Sequence, residues 1–369
     1  RAIVDGMAAD WTAPRLLALL EAEMGGPDVL DGFVDWPGGR RVRALGAPVA
    51  VHVSSGSVPG VSTTSLVRSL LVKSAVLLKP GRGDAVLPVL FLRALVEADE
   101  ELARAGAVVY WPGGDSAAED AVLAAADLVV AYGSDASVSS VRRRVPAHVP
   151  LVRYHHRASA AVVGREALSE GTVDEVAAAA ARAVALFDQR GCVSPQVVWV
   201  EEGGESSART FAAALARALS RLEEELPGPP LTDAEASALQ QLRGVVELRA
   251  AAGEALEMWS GGEASWTVVY EEGGASPGGG PPRFVRVRPV ADVREVGPEQ
   301  LAPLAHHLQT VAVAGLGTRR DEVAELLARA GAVRVTSLAR SPWPPPWWHH
   351  DGAGPLRPLV RWIDLEDED

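Results

Sequence analysis

A single cysteine, Cys192, stands in a chain of 369 residues. That scarcity excludes an intrachain disulfide and a cysteine-built zinc site, and it makes a reducing cytoplasm the expected compartment. Lysine is almost missing: Lys73 and Lys79 are the only ones, and arginine carries the rest of the positive charge. Uncharged, strongly apolar runs of about 18 residues do not occur, so no transmembrane helix is expected. The segment Arg1–Trp11 lacks the basic, apolar and small-residue order of a signal peptide. No basic stripe with interleaved aromatics is present, and a net charge of −13 repels phosphate backbones and anionic membranes. Nucleic acid is therefore not an expected partner. The Gly-x-Gly-x-x-Gly fingerprint of a standard dinucleotide site is missing too.

What the chain does have is alternation. Apolar β-type runs fall at 49–53, 75–78, 107–110 and 128–132, with helical stretches near 61–72, 85–104 and 117–126 between them. Short Val/Leu runs alternating with helices predict a parallel sheet covered on both faces. Ahead of this region, Leu16, Leu17, Leu19 and Leu20 predict a helix ending near Gly25–Gly26, followed by irregular chain to residue 47. Behind it, 172–188 reads as an Ala-rich helix. Thr172 and Glu175 give its start the capping-box spacing, and Gly191 is the expected left-handed residue at its end. A second α/β region runs from 197 to about 340, with strands at 266–270 and 284–288 and helices near 206–225 and 233–257. Thr232 and Glu235 repeat the capping-box spacing. Pro and Gly make 272–283 a loop, and 364–369 reads as a solvated acidic tail.

Cys192 falls between the Ala-rich helix and the next strand, in Asp188-Gln189-Arg190-Gly191-Cys192-Val193-Ser194-Pro195-Gln196. A loop after a tight glycine turn presents a thiol, and neighbouring Arg190 would favour the thiolate. Ser54, Ser55 and Ser57 follow the first strand of the alternating region, at the carboxyl end, where parallel sheets bind ligands. Lys79-Pro80-Gly81-Arg82 follows the second strand and Tyr132-Gly133-Ser134 the fourth. Gly133 lets backbone approach a ligand, and Ser134 can meet a phosphate oxygen. His155 and His156 invite a metal reading, but no further ligand stands at helical spacing and none is expected.

The cysteine string resembles the catalytic motif of the bacterial long-chain acyl-CoA reductases of the luminescence (LuxC) type, within the aldehyde dehydrogenase superfamily. The ending is similar as well: Trp347-Trp348-His349-His350-Asp351-Gly352, Leu359-Val360-Arg361-Trp362, Asp364 and Glu366. The resemblance implies an α/β, aldehyde dehydrogenase-like fold, a parallel-sheet cofactor-binding domain plus an α/β catalytic domain. Residues 1–189 would form the N-terminal segment and NADP-binding domain, 190–340 the catalytic cysteine domain, and 341–369 a C-terminal segment returning to the site.

The same resemblance makes Cys192 the nucleophile and sets Ser57 where the family usually has an oxyanion-hole asparagine. His350 would donate near the thiol. Ser54, Ser55, Lys79, Arg82, Gly133 and Ser134 would hold the cofactor. A Lys-Pro pair holds the adenosine ribose in the superfamily, and Arg82 replaces an acidic residue that binds a free 2′-hydroxyl; it suits the 2′-phosphate of NADPH. Members that hydrolyse the acyl-enzyme carry a glutamate roughly 34 residues before the cysteine; here the position is Ala158. His156 and Ser159 match a His and a Ser of the family. The implied reaction is NADPH-dependent reduction of a long-chain acyl-CoA, or another acyl thioester, to the fatty aldehyde through a cysteine acyl-enzyme. The implied partner is an acyl-protein synthetase or acyl carrier, and by analogy the chain forms a homo-oligomer. Oxidation of aldehydes, or a weakly active scaffold role in an acyl-transferring complex, stays open at this point.

Overall fold

The computed structural model describes residues 2–262, 265–273 and 280–366. In chain order the strands are β1 (Val34–Trp36), β2 (Arg40–Gly46), β3 (Val49–Val53), β4 (Ala75–Lys79) and β5 (Gly106–Val108). Then come β6 (Leu128–Tyr132), β7 (Leu151–Tyr154), β8 (Ala158–Val163), β9 (Pro195–Glu201) and β10 (Leu256–Ser260). The last are β11 (Thr267–Glu271), β12 (Phe284–Val290), β13 (Leu308–Ala314), β14 (Arg334–Ser337) and β15 (Val360–Leu365). The chain divides into two compact units, Arg1–His156 with Pro345–Asp369, and Arg157–Pro344. The sequence reading sets its first boundary at 189/190. The compact units divide at 156/157 because β8 is hydrogen-bonded between β9 and β13.

The first unit holds a five-stranded parallel sheet of order β5-β4-β3-β6-β7. Alternating residues explain how it is covered on both faces. Ala50, Leu128 and Val130 join one apolar cluster, and Val51, Val129 and Ala131 another. The helix Ala13–Met24 carries proline in its first turn and ends at Gly25, which is left-handed at φ 76°. Leu19, Leu20 and Met24 bury its inner face. The chain expected to be irregular up to residue 47 instead forms β1 and β2. β15 closes that three-stranded antiparallel sheet, so Asp364 lies in a strand rather than in a tail. Residues 367–369 of the expected acidic tail lie outside the described residues.

The second unit holds a seven-stranded sheet of order β10-β11-β12-β9-β8-β13-β14, parallel except for β10 against β11. Again the pleat sorts residues: Val197 and Trp199 face one cluster, Val198 and Val200 the other. The capping box at Thr232 forms, with the Glu235 N–H donating to the Thr232 hydroxyl and the Thr232 N–H donating to the Glu235 carboxylate. The one expected at Thr172 does not. Thr172 has helical dihedrals, and its hydroxyl donates to the Ala167 carbonyl at 3.0 Å. The helix near 233–257 stops at Ala251, which frees 256–260 for β10. Residues 274–279 of the expected Gly/Pro loop lie outside the described residues. Among the described residues, no helix is long and apolar enough to cross a membrane.

Candidate active site

In the first unit the strand order reverses between β3 and β6, the kind of crevice where open α/β sheets bind ligands. Ser54 and Ser55 follow β3, Lys79 ends β4, and Gly133 and Ser134 follow β6, so three neighbouring carboxyl ends carry the expected cofactor residues. Local bonds tie these loops together. Buried Asp84 accepts the N–H groups of Gly60 and Ser62, both at 3.0 Å, at the start of the helix Val61–Leu71. The Ser62 hydroxyl donates to Ser54 at 2.8 Å. A Cβ on Gly81 would fall 2.1 Å from the Gly56 nitrogen, so the two loops pass backbone against backbone. Asp84 thus occupies amides at this helix start, the kind of group that can bind a phosphate.

Ser57, Arg82 and Ser134 are exposed, and Ser55 and Lys79 are partly so. Ser134 also caps the helix Asp135–Arg144, its hydroxyl accepting the Ser137 N–H at 3.3 Å. Two cations and several hydroxyls at a switch point fit a phosphate-bearing nucleotide. In the middle of β3, His52 is buried with Nε2 2.7 Å from the Ser69 hydroxyl. Burial, aided by Arg68, pushes its pKa down to about 3.

His350 lies in the first unit. Its ring stacks on Tyr154 at 4.5 Å and 18°, with Trp348 at 4.9 Å. Tyr154 in turn stacks on Tyr132 at 4.5 Å. The Tyr132 hydroxyl accepts the Ser65 hydroxyl at 2.9 Å. His350 thus stands in an aromatic column with Tyr154, Tyr132 and Trp348.

Cys192 belongs to the second unit. The helix Val173–Ala185 ends, and Phe187, Asp188 and Gln189 all take left-handed dihedrals, φ 57°, 53° and 58°. Gly191, expected in that conformation, does not. Left-handed residues with a Cβ cost roughly 1–2 kcal/mol each, so the segment needs anchors. Asp188 pairs with buried Arg283 at 2.7 Å, and the Gln189 amide donates to the Pro195 carbonyl at 2.8 Å. The phenyl ring of Phe187 meets Trp343 edge-on. The Ser194 N–H then donates to the Gly191 carbonyl at 3.0 Å, closing a turn with Cys192 and Val193 at its corners.

That turn is braced from two sides. The Ser159 hydroxyl donates to the Cys192 carbonyl at 2.6 Å, and the Ser341 hydroxyl donates to the Val193 carbonyl at 3.0 Å. Spacing along the chain gave no signal for Ser341, which is 148 positions from its partner. Arg190, expected to favour the thiolate, is turned to Glu235 at 2.8 Å instead. Ala158, at the position of the hydrolytic glutamate, is buried and donates its N–H to the His307 carbonyl at 2.8 Å.

Cys192 thus lies at the amino edge of β8 and β9, where parallel sheets less often place a site. The opposite edge is filled. A Cβ on Gly164 would meet the Gly315 carbonyl at 1.9 Å, and fully buried Glu201 accepts from Arg319 and from the Arg165 N–H, both at 2.9 Å. Burial raises the Glu201 pKa, but the bonds from Arg319 and Arg165 outweigh it and hold it at about 2.

The sequence profile of a family described as Acyl-CoA reductase (LuxC) matches residues 2–362. Long-chain acyl-protein thioester reductase 2 of Photobacterium leiognathi is 24% identical over 372 residues, 98% of this chain and 74% of its own. The long-chain acyl-protein thioester reductase of Aliivibrio fischeri is 24% identical over 373 residues, again 98% and 74%. Among solved structures, the NADP-dependent glyceraldehyde-3-phosphate dehydrogenase of Bacillus halodurans superposes with a TM-score of 0.70 at 14% identity, covering 99% of this chain and 78% of that one. For the NAD-dependent benzaldehyde dehydrogenase of Corynebacterium glutamicum the TM-score is 0.65 at 17% identity, covering 99% and 81%. The fold is aldehyde dehydrogenase-like. With its profile matched along almost the whole length, the chain belongs to the Acyl-CoA reductase (LuxC) family.

Proposed function

We propose that this chain reduces a long-chain acyl thioester to the fatty aldehyde, with Cys192 as the residue that takes the acyl group. The observation that carries the reading is the Cys192 turn: a partly exposed thiol on a corner whose two carbonyls are gripped by Ser159 and Ser341. Such bracing fixes the nucleophile and directs its neighbouring N–H groups, as acyl transfer requires. The family name points to CoA esters, and the quoted relatives are named for acyl-protein thioesters; a thioester is common to both.

The Cys192 thiolate attacks the thioester carbonyl, and the π electrons move to oxygen. The Cys192 N–H donates to that oxyanion. As the oxyanion collapses, the donor thiolate leaves, and Cys192 holds the acyl group. Ala158 cannot activate water, so the acyl-enzyme persists. When bound, a reduced nicotinamide would supply the hydride that turns the Cys192 thioester into a thiohemiacetal oxyanion. Cys192 then leaves as thiolate, and the aldehyde is released. Lys79 and Arg82 would hold the 2′-phosphate of NADPH, and Ser134 a pyrophosphate oxygen, beside Ser54, Ser55 and Gly133. Thiolate chemistry of this kind belongs in a reducing cytoplasm, with CoA, an acyl carrier or an acyl-protein synthetase as donor.

Mass spectrometry after mixing with long-chain acyl-CoA, and separately with an acylated carrier protein, tests the reading. An acyl adduct on Cys192 that NADPH discharges to aldehyde is expected. An unchanged adduct and unchanged NADPH oxidation in Cys192→Ala would refute it.

A further inference from the structure

We propose that Arg334 is the cation that keeps Cys192 in its thiolate form, a role that rests on the reading of Cys192 as nucleophile. Arg334 opens β14, directly across from Thr310 of β13. The Thr310 N–H donates to the Ser159 hydroxyl at 3.0 Å, and that hydroxyl donates to the Cys192 carbonyl at 2.6 Å. On the other side, the Arg334 guanidinium donates to the carbonyls of Ser341 at 2.9 Å and Arg340 at 2.7 Å. The Ser341 hydroxyl donates to the Val193 carbonyl at 3.0 Å. Arg334 is therefore the middle of a frame whose two ends grip the adjacent residues Cys192 and Val193.

The chemistry of the frame suits this role. The guanidinium donates to two neutral carbonyl oxygens, which aim its planar fork. Burial lowers the Arg334 pKa to about 10, and the negative charge of Cys192 acts in the opposite direction. Arg334 therefore stays charged near neutral pH. Coupling between two groups is reciprocal, so a thiolate that favours the guanidinium is equally favoured by it. Of the charged residues that lead into the turn, Arg190 pairs with Glu235 and Asp188 with Arg283.

The test is the pH profile of Cys192 alkylation by iodoacetamide, read from the mass of the intact protein. The sequence has one cysteine, so the reading reports on Cys192 alone. Arg334→Met is expected to move the midpoint up by about one unit and to slow alkylation about tenfold near neutral pH. Arg334→Lys keeps the charge and stays close to the parent. Arg334→Gln keeps a donor for the Ser341 carbonyl, and it makes the same comparison if Met prevents folding. A profile that ignores loss of the charge overturns the proposal. Acyl transfer is read separately. If the parent takes no acyl group but alkylation still depends on Arg334, the acyl-transfer reading falls and this one stands. If the adduct forms and alkylation ignores Arg334, the reverse holds.

Discussion

The Ser159 hydroxyl sits between the Cys192 carbonyl, to which it donates at 2.6 Å, and the Thr310 N–H, which it accepts at 3.0 Å. One buried side chain thus ties the thiol's turn to two neighbouring strands, β8 and β13. Ser159→Ala strands a buried N–H and releases the turn. We expect a loss of about 1–3 kcal/mol in urea unfolding, together with slower acyl-adduct formation. Unchanged stability and unchanged adduct rate would show that the hydroxyl is dispensable.

The two capping-box spacings behave differently under substitution. Thr232→Ala removes a formed box and should cost about 1 kcal/mol. Glu175→Ala touches a spacing that forms no box and should stay within about 0.5 kcal/mol of the parent. Chemical denaturation of both variants checks the contrast.

Stability should fall with pH because of His52. Its folded pKa is depressed from 6.5 to about 3, so the unfolded chain binds the proton first. The contribution is fully present above pH 6.5 and is lost as pH drops toward 3. The loss should reach roughly 3 kcal/mol by about pH 4. His52→Gln should flatten this slope; an identical slope in the variant would sink the assignment.

Arg82→Glu tests the proposed preference for the phosphorylated cofactor and should reverse it. We expect NADPH binding to weaken by roughly tenfold or more while NADH binding holds or improves, measured by fluorescence titration. Equal loss for both cofactors would argue that Arg82 only shapes its loop.

His350 separates packing from proton donation. His350→Phe preserves an aromatic ring against Tyr154 and should keep stability, whereas His350→Ala should lose about 0.5–1.5 kcal/mol. Turnover that follows stability assigns His350 to the aromatic column. Turnover lost in both variants assigns it to the chemistry.

The sequence by itself determined whatever is written at short spacing. Leucines at helical period and Gly25 fixed the helix Ala13–Met24, Thr232 and Glu235 fixed a cap, and Val/Leu runs located β3, β4 and β6. The string around Cys192 pointed to the family. These features are legible because side chains three or four apart on a helix, or two apart on a strand, share a face in any fold. Only the tertiary structure decided that Arg190 faces Glu235, that Thr172 turns back to Ala167, and that β15 completes a sheet with β2. It alone brought Ser159 and Ser341 onto the carbonyls of Cys192 and Val193, across 33 and 148 positions. Bonds over such separations leave no periodic trace. They exist because the order of strands in the sheet, not distance along the chain, sets which residues meet.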